Sequence, residues 1–362
     1  MPSENPEAEM WMGAHGSAPS TVRINGEERT LLELIEQRGE SILGKGTHGR
    51  FGARLPFLMK VLAAEKPLSI QVHPSSKQAK EGYERENRAH VELASRRRNY
   101  KDPYHKPELI CALGKFEALC GFRDNESISA RSGVLGASLT KLILESRKDA
   151  LEYLLTLEGS AREEQLSKCL KRCREREGED VIGQDCAWAA RLASQYPDDI
   201  GVVVSLMLNR VELKAHEAIY LPAGVLHAYL EGVGVEIMAC SDNVLRGGLT
   251  PKHIDIGELL RVTGFAPYCP PIVEPTVDGC EYIYRTEAVE FQLSRLELSK
   301  RMSVQVRGPE ILLCLEGAIT ASDASGTTEM KTGDSIFVES SDESYTLEGN
   351  GRVYRATVPG EK

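Results

Sequence analysis

Between residues 126 and 198 the chain changes its hydrophobic period, and this change constrains the fold more than any other feature of the sequence. Leu139, Leu142, Ile143, Leu151, Leu154 and Leu155 recur at three- and four-residue steps, as amphipathic helices require. Leu166, Cys169, Leu170 and Cys173 repeat the spacing in a highly charged segment, and Cys186 to Tyr196 makes a third, closed by Pro197. The charge run Lys168 to Glu179 reads as a solvated face. On both sides of this block, short apolar runs alternate with Gly and Pro turns, the signature of strands. Pro56 to Leu62 reads as a buried strand, Leu68 to His73 alternates with period two and stops at Pro74, and Leu109 to Phe122 resumes as strand. Ser76 to Ala94 is polar and reads as a surface helix or a long excursion. After the helical block, Val202 to Val204, Ala218 to Leu221, Val225 to Leu230 and Val235 to Ala239 read as strands. The last segment, 278–362, has the rhythm of a small sandwich. The expected class is therefore mainly β: sandwich domains with one α-helical insert.

Composition narrows the function. The chain has 362 residues, 41% of them hydrophobic and 27% charged, enough for a sizeable core. Its net charge of −10 argues against broad binding to nucleic acid or anionic membrane. It leaves room for a small anionic substrate, because a local cluster of Lys and Arg can oppose the global sign. No apolar run approaches the roughly 20 residues that span a bilayer. Met1 to Met10 is acidic and polar, without the features of a secretory or transit segment. The nine cysteines form no C-x-x-C pair, and most sit in apolar stretches such as those of Cys111, Cys240 and Cys314. Buried thiols in a reducing cytoplasm are the expectation.

Three pieces of the β segments carry groups suited to a metal. Gln71 and His73 stand two apart on one strand and so share a face. His105-Lys106-Pro107-Glu108 leads a carboxylate into an apolar run, which is costly unless the carboxylate is paired or metal-bound. His227 follows the turn Pro222-Ala223-Gly224. Each has an ordinary reading alone: a strand-end polar pair, a loop boundary, a satisfied core histidine. Together they offer two His, one Glu and one Gln, a set suited to Zn²⁺ or a similar divalent ion with an open position. The absence of Cys among them argues against a closed structural site. Asp242 and Arg246 lie in the Gly-flanked loop Ser241 to Lys252, and Lys60 interrupts an apolar strand, either snorkelling at an edge or held in a site.

These stretches, with the opening Trp11-Met12-Gly13-Ala14-His15, resemble the type I phosphomannose isomerase family over nearly the whole chain. The resemblance implies cupin-type (jelly-roll) sandwich domains. It divides the chain into a discontinuous catalytic domain (1–125 and 199–277), a helical insert (126–198) and a C-terminal cupin-like β domain (278–362). It implies one Zn²⁺ per chain on Gln71, His73, Glu108 and His227. The catalytic residues it implies are Arg246, Lys106, His105 and Asp242, with Lys60 and Ser69 contacting substrate. The implied reaction interconverts mannose 6-phosphate and fructose 6-phosphate through an enediol, feeding glycolysis or the synthesis of activated mannose. His105 is the tentative base, Lys106 and Arg246 the electrostatic stabilisers, and Asp242 a base or an orienter of Arg246. The implied partner is a small sugar phosphate, with no nucleic acid and no membrane; the oligomeric state stays open and a monomer is compatible. Two rivals are a metal cupin of another chemistry, such as an iron oxygenase, and a non-catalytic sugar-binding relative. In one respect the sequence departs from the family, which usually has a Trp-Gly strand before the Trp-Met-Gly-Ala-His block; its loss would leave a sheet edge unpaired.

Overall fold

A computed structural model of the protein describes residues 7–24, 26–176 and 178–360. The acidic first residues of the chain, up to residue 6, lie outside them. Nine strands build one antiparallel system: β1 (Glu9–Met12), β2 (Phe57–Ala64), β3 (Ile70–Val72), β4 (Glu108–Ala112), β5 (Phe116–Phe122), β6 (Leu208–Leu213), β7 (Ala218–Leu221), β8 (His227–Ala239) and β9 (Leu245–Gly248). The organising strand is β8. Its C-terminal half runs between β2 and β4. Its N-terminal half runs between β3 and β5, with His227 opposite both Gln71 and Cys120. One strand thus joins both faces of a sandwich whose interior holds Leu62, Ile110, Phe116, Leu213, Ile219 and Tyr229.

The sequence reading splits β8 into two strands at its glycines. The structure keeps one thirteen-residue strand and bends it there. The ladder to β5 shifts register between Tyr229 and Glu231. Gly232 follows at φ 131°, where a Cβ would lie 2.7 Å from the Phe116 ring and 2.8 Å from the Lys115 carbonyl oxygen. A glycine is required at that corner on both counts.

Two further segments differ from the sequence reading. Val202 to Val204 lies in a short helix, Gly201–Ser205, all of it buried. Three β-branched residues in a row favour strand, but burial among Leu154, Leu206 and Leu249 in the helical core decides the outcome. Residues 31–51, to which the sequence reading gave no helix, form Leu31–Phe51. Its start is fixed by a capping box in which Thr30 and Glu33 exchange hydrogen bonds. Gly44, at φ 79°, kinks it and breaks the period that would have announced it.

This long helix buries Leu31, Leu34, Ile35, Ile42 and Leu43 in the seam between the first sheet and a second one. The second sheet has eight strands, from Thr276–Asp278 to Ser344–Thr357. Met59, Leu109, Val235 and Ile237 of the first sheet meet Tyr284, Phe291, Ile311 and Tyr354 of the second. The helices between Asn125 and Gln195 share a core with Ile70, Val72 and Leu226, beside the site described below. They are tied to the sandwich by Asp185, which takes ion pairs from Arg123 (2.8 Å), Arg131 (2.5 Å) and Arg210 (3.2 Å). β1 pairs with β2 on one side and has no strand on the other among the described residues.

Candidate metal centre

Sheet register assembles the site. Arg246 stands opposite Gln71 in the β9–β3 ladder, and Gln71 stands opposite His227 in the β3–β8 ladder. Cross-strand neighbours share a face, so these three side chains form one row. His73 lies just past β3. Pro74 ends that strand, and Ser75 at once caps the helix Ser76–Arg88, so the chain turns away with the His73 ring left at the strand end. Glu108 opens β4 and lies opposite Met238 of β8.

The Nε2 atoms of His73 and His227 each lie 3.3 Å from one oxygen of the Glu108 carboxylate. The three side chains are buried, and their donor atoms all fall within 4.8 Å of one another. Each ring points its Nδ1 at a backbone carbonyl: His73 at Asn243 (2.7 Å) and His227 at Val225 (2.8 Å). A carbonyl only accepts, so each Nδ1 carries the proton and donates it. In the Nδ1–H tautomer each ring turns a bare Nε2 lone pair toward the carboxylate lone pairs. His73 Nε2 and Glu108 Oε2 accordingly have no hydrogen-bond partner although both are buried. Acceptors facing acceptors in a sealed pocket need a cation between them. Gln71 closes the set, its amide nitrogen 3.4 Å from His227 Nε2; a half-turn of the amide presents Oε1 instead.

The electrostatics agree with this geometry. Burial pushes the pKa of His73 down to about 4, against the pull of Glu108, so the ring is a neutral ligand at neutral pH. Burial works against ionised Glu108, yet the Lys106 ammonium holds its carboxyl well below the usual carboxylate range. Lys106 Nζ lies 3.0 Å from Glu108 Oε1.

A cavity of about 360 Å³ opens beside this centre, lined by Lys60, Ser69, Lys106, Glu108, Tyr229, Glu236 and Arg246 among others. Lys60 Nζ pairs with Glu236 (3.3 Å) and Glu9 (3.6 Å) and stands over the Trp11 ring, 4.8 Å from its centroid. Arg246 lines the cavity with its charge opposed by burial alone, which lowers its pKa. Lys252 lines the same wall.

Of the residues named from sequence, Gln71, His73, Glu108 and His227 converge on one point, with Lys106 against them. Lys60, Ser69 and Arg246 share the adjoining cavity. Asp242 pairs with His15 Nε2 at 3.2 Å, and that contact holds its carboxyl below the ordinary value against the effect of burial. His105 is set apart, its Nε2 2.7 Å from a carboxylate oxygen of Glu290 and not on the cavity wall. The sequence reading missed Glu9, Tyr229, Glu236 and Asn243. Glu236 carries the signal used for Lys60, a lone charge inside the apolar run Val235 to Ala239. Tyr229, two residues after His227 and with a buried hydroxyl that has no partner, was legible by the same i, i+2 rule.

Residues 1–125 match the family described as phosphomannose isomerase type I, catalytic domain. The mannose-6-phosphate isomerase of Escherichia coli strain K12 is 38% identical over 98% of this chain and 92% of its own length. Mannose-6-phosphate isomerase 1 of Arabidopsis thaliana is 32% identical over 98% and 85%. A mutant phosphomannose isomerase from Salmonella typhimurium superposes with a TM-score of 0.91 at 35% identity, covering 98% of this chain and 91% of the other. A zinc-bound mannose 6-phosphate isomerase does so with a TM-score of 0.90, at the same identity and coverage. With this fold and this likeness along its length, the chain belongs to the type I phosphomannose isomerase family, a family of isomerases built on the cupin fold.

Proposed function

We propose that the protein interconverts mannose 6-phosphate and fructose 6-phosphate, with one zinc ion held by Gln71, His73, Glu108 and His227. The observation that carries this reading is the pair of bare imidazole lone pairs facing the Glu108 carboxylate beside a cation-lined cavity. The donor set, nitrogen and oxygen without thiolate, suits zinc with an open position. Bound zinc supplies a Lewis acid that polarises sugar oxygens during the proton shift.

The side chains divide the remaining work. Aldose–ketose exchange moves a proton between C1 and C2, and negative charge grows on the sugar oxygens as it leaves carbon. Lys106 and Arg246 oppose that charge from fixed positions in a partly dehydrated cavity, where it counts more than in water. Arg246, Lys252 and the Ser69 hydroxyl offer a phosphate group its charge-assisted contacts. Lys60 is largely occupied by its two carboxylates. Two carboxylates outside the metal set are candidates to carry the proton, of which Glu236 lines the cavity and Asp242 does not. Asp242 is held low by His15, whereas burial raises Glu236 despite Lys60. A base works best near the working pH, which favours Glu236. His105, tied to Glu290, orients the chain leading into Lys106 and Glu108.

Residues 1–125 with 199–277 form the catalytic unit in this reading, 126–198 the helical insert and 278–362 the C-terminal β unit. Among the described residues no helix is long and apolar enough to cross a membrane. Six of the nine free thiols, Cys111, Cys120, Cys169, Cys173, Cys186 and Cys314, are buried, which supports a reducing cytoplasmic setting. The test is turnover by the purified protein: formation of fructose 6-phosphate from mannose 6-phosphate, reversal from the ketose side, and little turnover of unphosphorylated mannose. A folded, zinc-loaded sample that turns over neither phosphate ester rejects the assignment.

A further inference from the structure

Asn243 is fully buried next to the metal centre without touching the cavity, and its amide is completely used. Its Oδ1 accepts the backbone N–H of Lys101 (2.7 Å) and of Asp102 (3.3 Å). Its Nδ2 donates to the carbonyl oxygens of Asp102 and Tyr104, both at 2.7 Å. An asparagine side chain has two donors and two acceptor sites, and all four are engaged with one short loop, 101–104. The backbone carbonyl of the same residue accepts the Nδ1–H of His73 at 2.7 Å. The Asp102 carboxylate makes a second tie, accepting from the Ser241 hydroxyl and the Asp242 N–H, each at 2.8 Å.

We propose that Asn243 is a positioning residue: it locks loop 101–104 to loop 241–243 and thereby fixes the ring of the ligand His73. The proposal rests on the metal-centre reading above. Its physical content is a chain of constraints. Loop 101–104 leads into Lys106 and Glu108, and loop 241–243 leads into Arg246. Asn243 lies between them, and among the described residues the only acceptor for the His73 Nδ1–H is its carbonyl. With the amide removed, only the Asp102 tie to Ser241 and Asp242 still holds that carbonyl near the ring, and the tautomer that leaves Nε2 bare loses most of its support. Partners of this kind typically change metal affinity 10- to 100-fold.

The experiment measures zinc affinity by competition with a chromophoric chelator, together with thermal unfolding of the zinc-free protein. Asn243→Ala is expected to weaken zinc binding 10- to 100-fold and to lower kcat more than it raises KM. Asn209→Ala is the comparator. Asn209 donates to three carbonyl oxygens, those of Cys120, Gly121 and Tyr268, none of them on a residue of the metal set. Its loss is expected to lower the unfolding temperature and leave zinc affinity unchanged. If Asn243→Ala does not fold, Asp102→Asn carries the test: it removes one of the two acceptor oxygens of the second tie and leaves the Asn243 bonds to the loop backbone in place, and a smaller loss of zinc affinity is expected. Wild-type zinc affinity in the folded Asn243 variant, or in Asp102→Asn where that variant stands in, overturns the positioning role. Failure of the wild-type protein to bind zinc overturns instead the reading on which the role rests.

Discussion

Lys60 on β2 and Glu236 on β8 are direct partners across the ladder, their charged ends 3.3 Å apart and both buried. Burial opposes the Lys60 charge, but Glu236, Glu9 and Glu108 outweigh it and raise its pKa. Removing one member of such a pair leaves the other charge buried and unmatched, at about 3–5 kcal/mol. Lys60→Met is therefore expected to destabilise the protein by about 3 kcal/mol. Adding Glu236→Gln should recover most of the loss without restoring activity. Urea unfolding of the two single variants and the double variant measures the coupling; additive effects would contradict it.

Arg246 differs from Lys60 in having no carboxylate partner among the described residues. Arg246→Ala is expected to lower kcat/KM about 100-fold or more, the scale of losing one charge-stabilising donor. Arg246→Lys keeps the charge but not the planar fork, and should recover only part of that loss. Steady-state kinetics with mannose 6-phosphate decides the point, and near-wild-type Arg246→Ala would contradict it.

The pKa of His73 near 4 makes a stability prediction for the metal-stripped protein. The unfolded chain protonates this ring at about 6.5, whereas the folded chain resists down to about 4. The stability due to the neutral ring is present above pH 6.5 and is lost as pH falls from there to about 4. The loss is on the order of 3 kcal/mol. Glu108, held low in the fold, adds a loss in the same direction below its ordinary value. Urea unfolding between pH 7.5 and 4.5 should show a steeper acid decline for wild type than for His73→Asn. Parallel declines would contradict the burial argument.

The helical insert depends on one carboxylate. Asp185→Asn leaves Arg123, Arg131 and Arg210 without their shared counter-charge, and should cost about 3 kcal/mol or more. Protease cleavage within the insert should rise with it. Unchanged thermal unfolding would show that Glu117, which also binds Arg210, suffices.

The buried cluster of His73, Glu108 and His227, with Gln71 beside it, was legible because its signals are local. Gln71 and His73 are separated by two on an alternating strand, a proline stops that strand, and a carboxylate leads into a buried run. The partners across the sheet were not local: Glu9 with Lys60, His15 with Asp242 and Glu290 with His105 depend on register, which the sequence pattern does not supply. For the same reason the sequence does not show that His105, in the loop before the strand that Glu108 opens, turns to Glu290. Val202 to Val204 misled because β-propensity describes a half-buried pleated surface and this run is buried on all sides. The glycine-broken helix 31–51 hid its period, and only its capping box, Thr30 with Glu33, was readable.

The central claim is that zinc on Gln71, His73, Glu108 and His227 is required for the isomerisation. The direct measurement is conversion of mannose 6-phosphate to fructose 6-phosphate by purified protein before chelation, after chelation and after zinc is restored, alongside Glu108→Ala. The account predicts that activity falls with the chelator, returns with about one zinc per chain, and stays absent in the variant at the same zinc concentration. Full activity in chelated protein shown to be free of metal, or zinc-restored activity in Glu108→Ala equal to wild type, would contradict it.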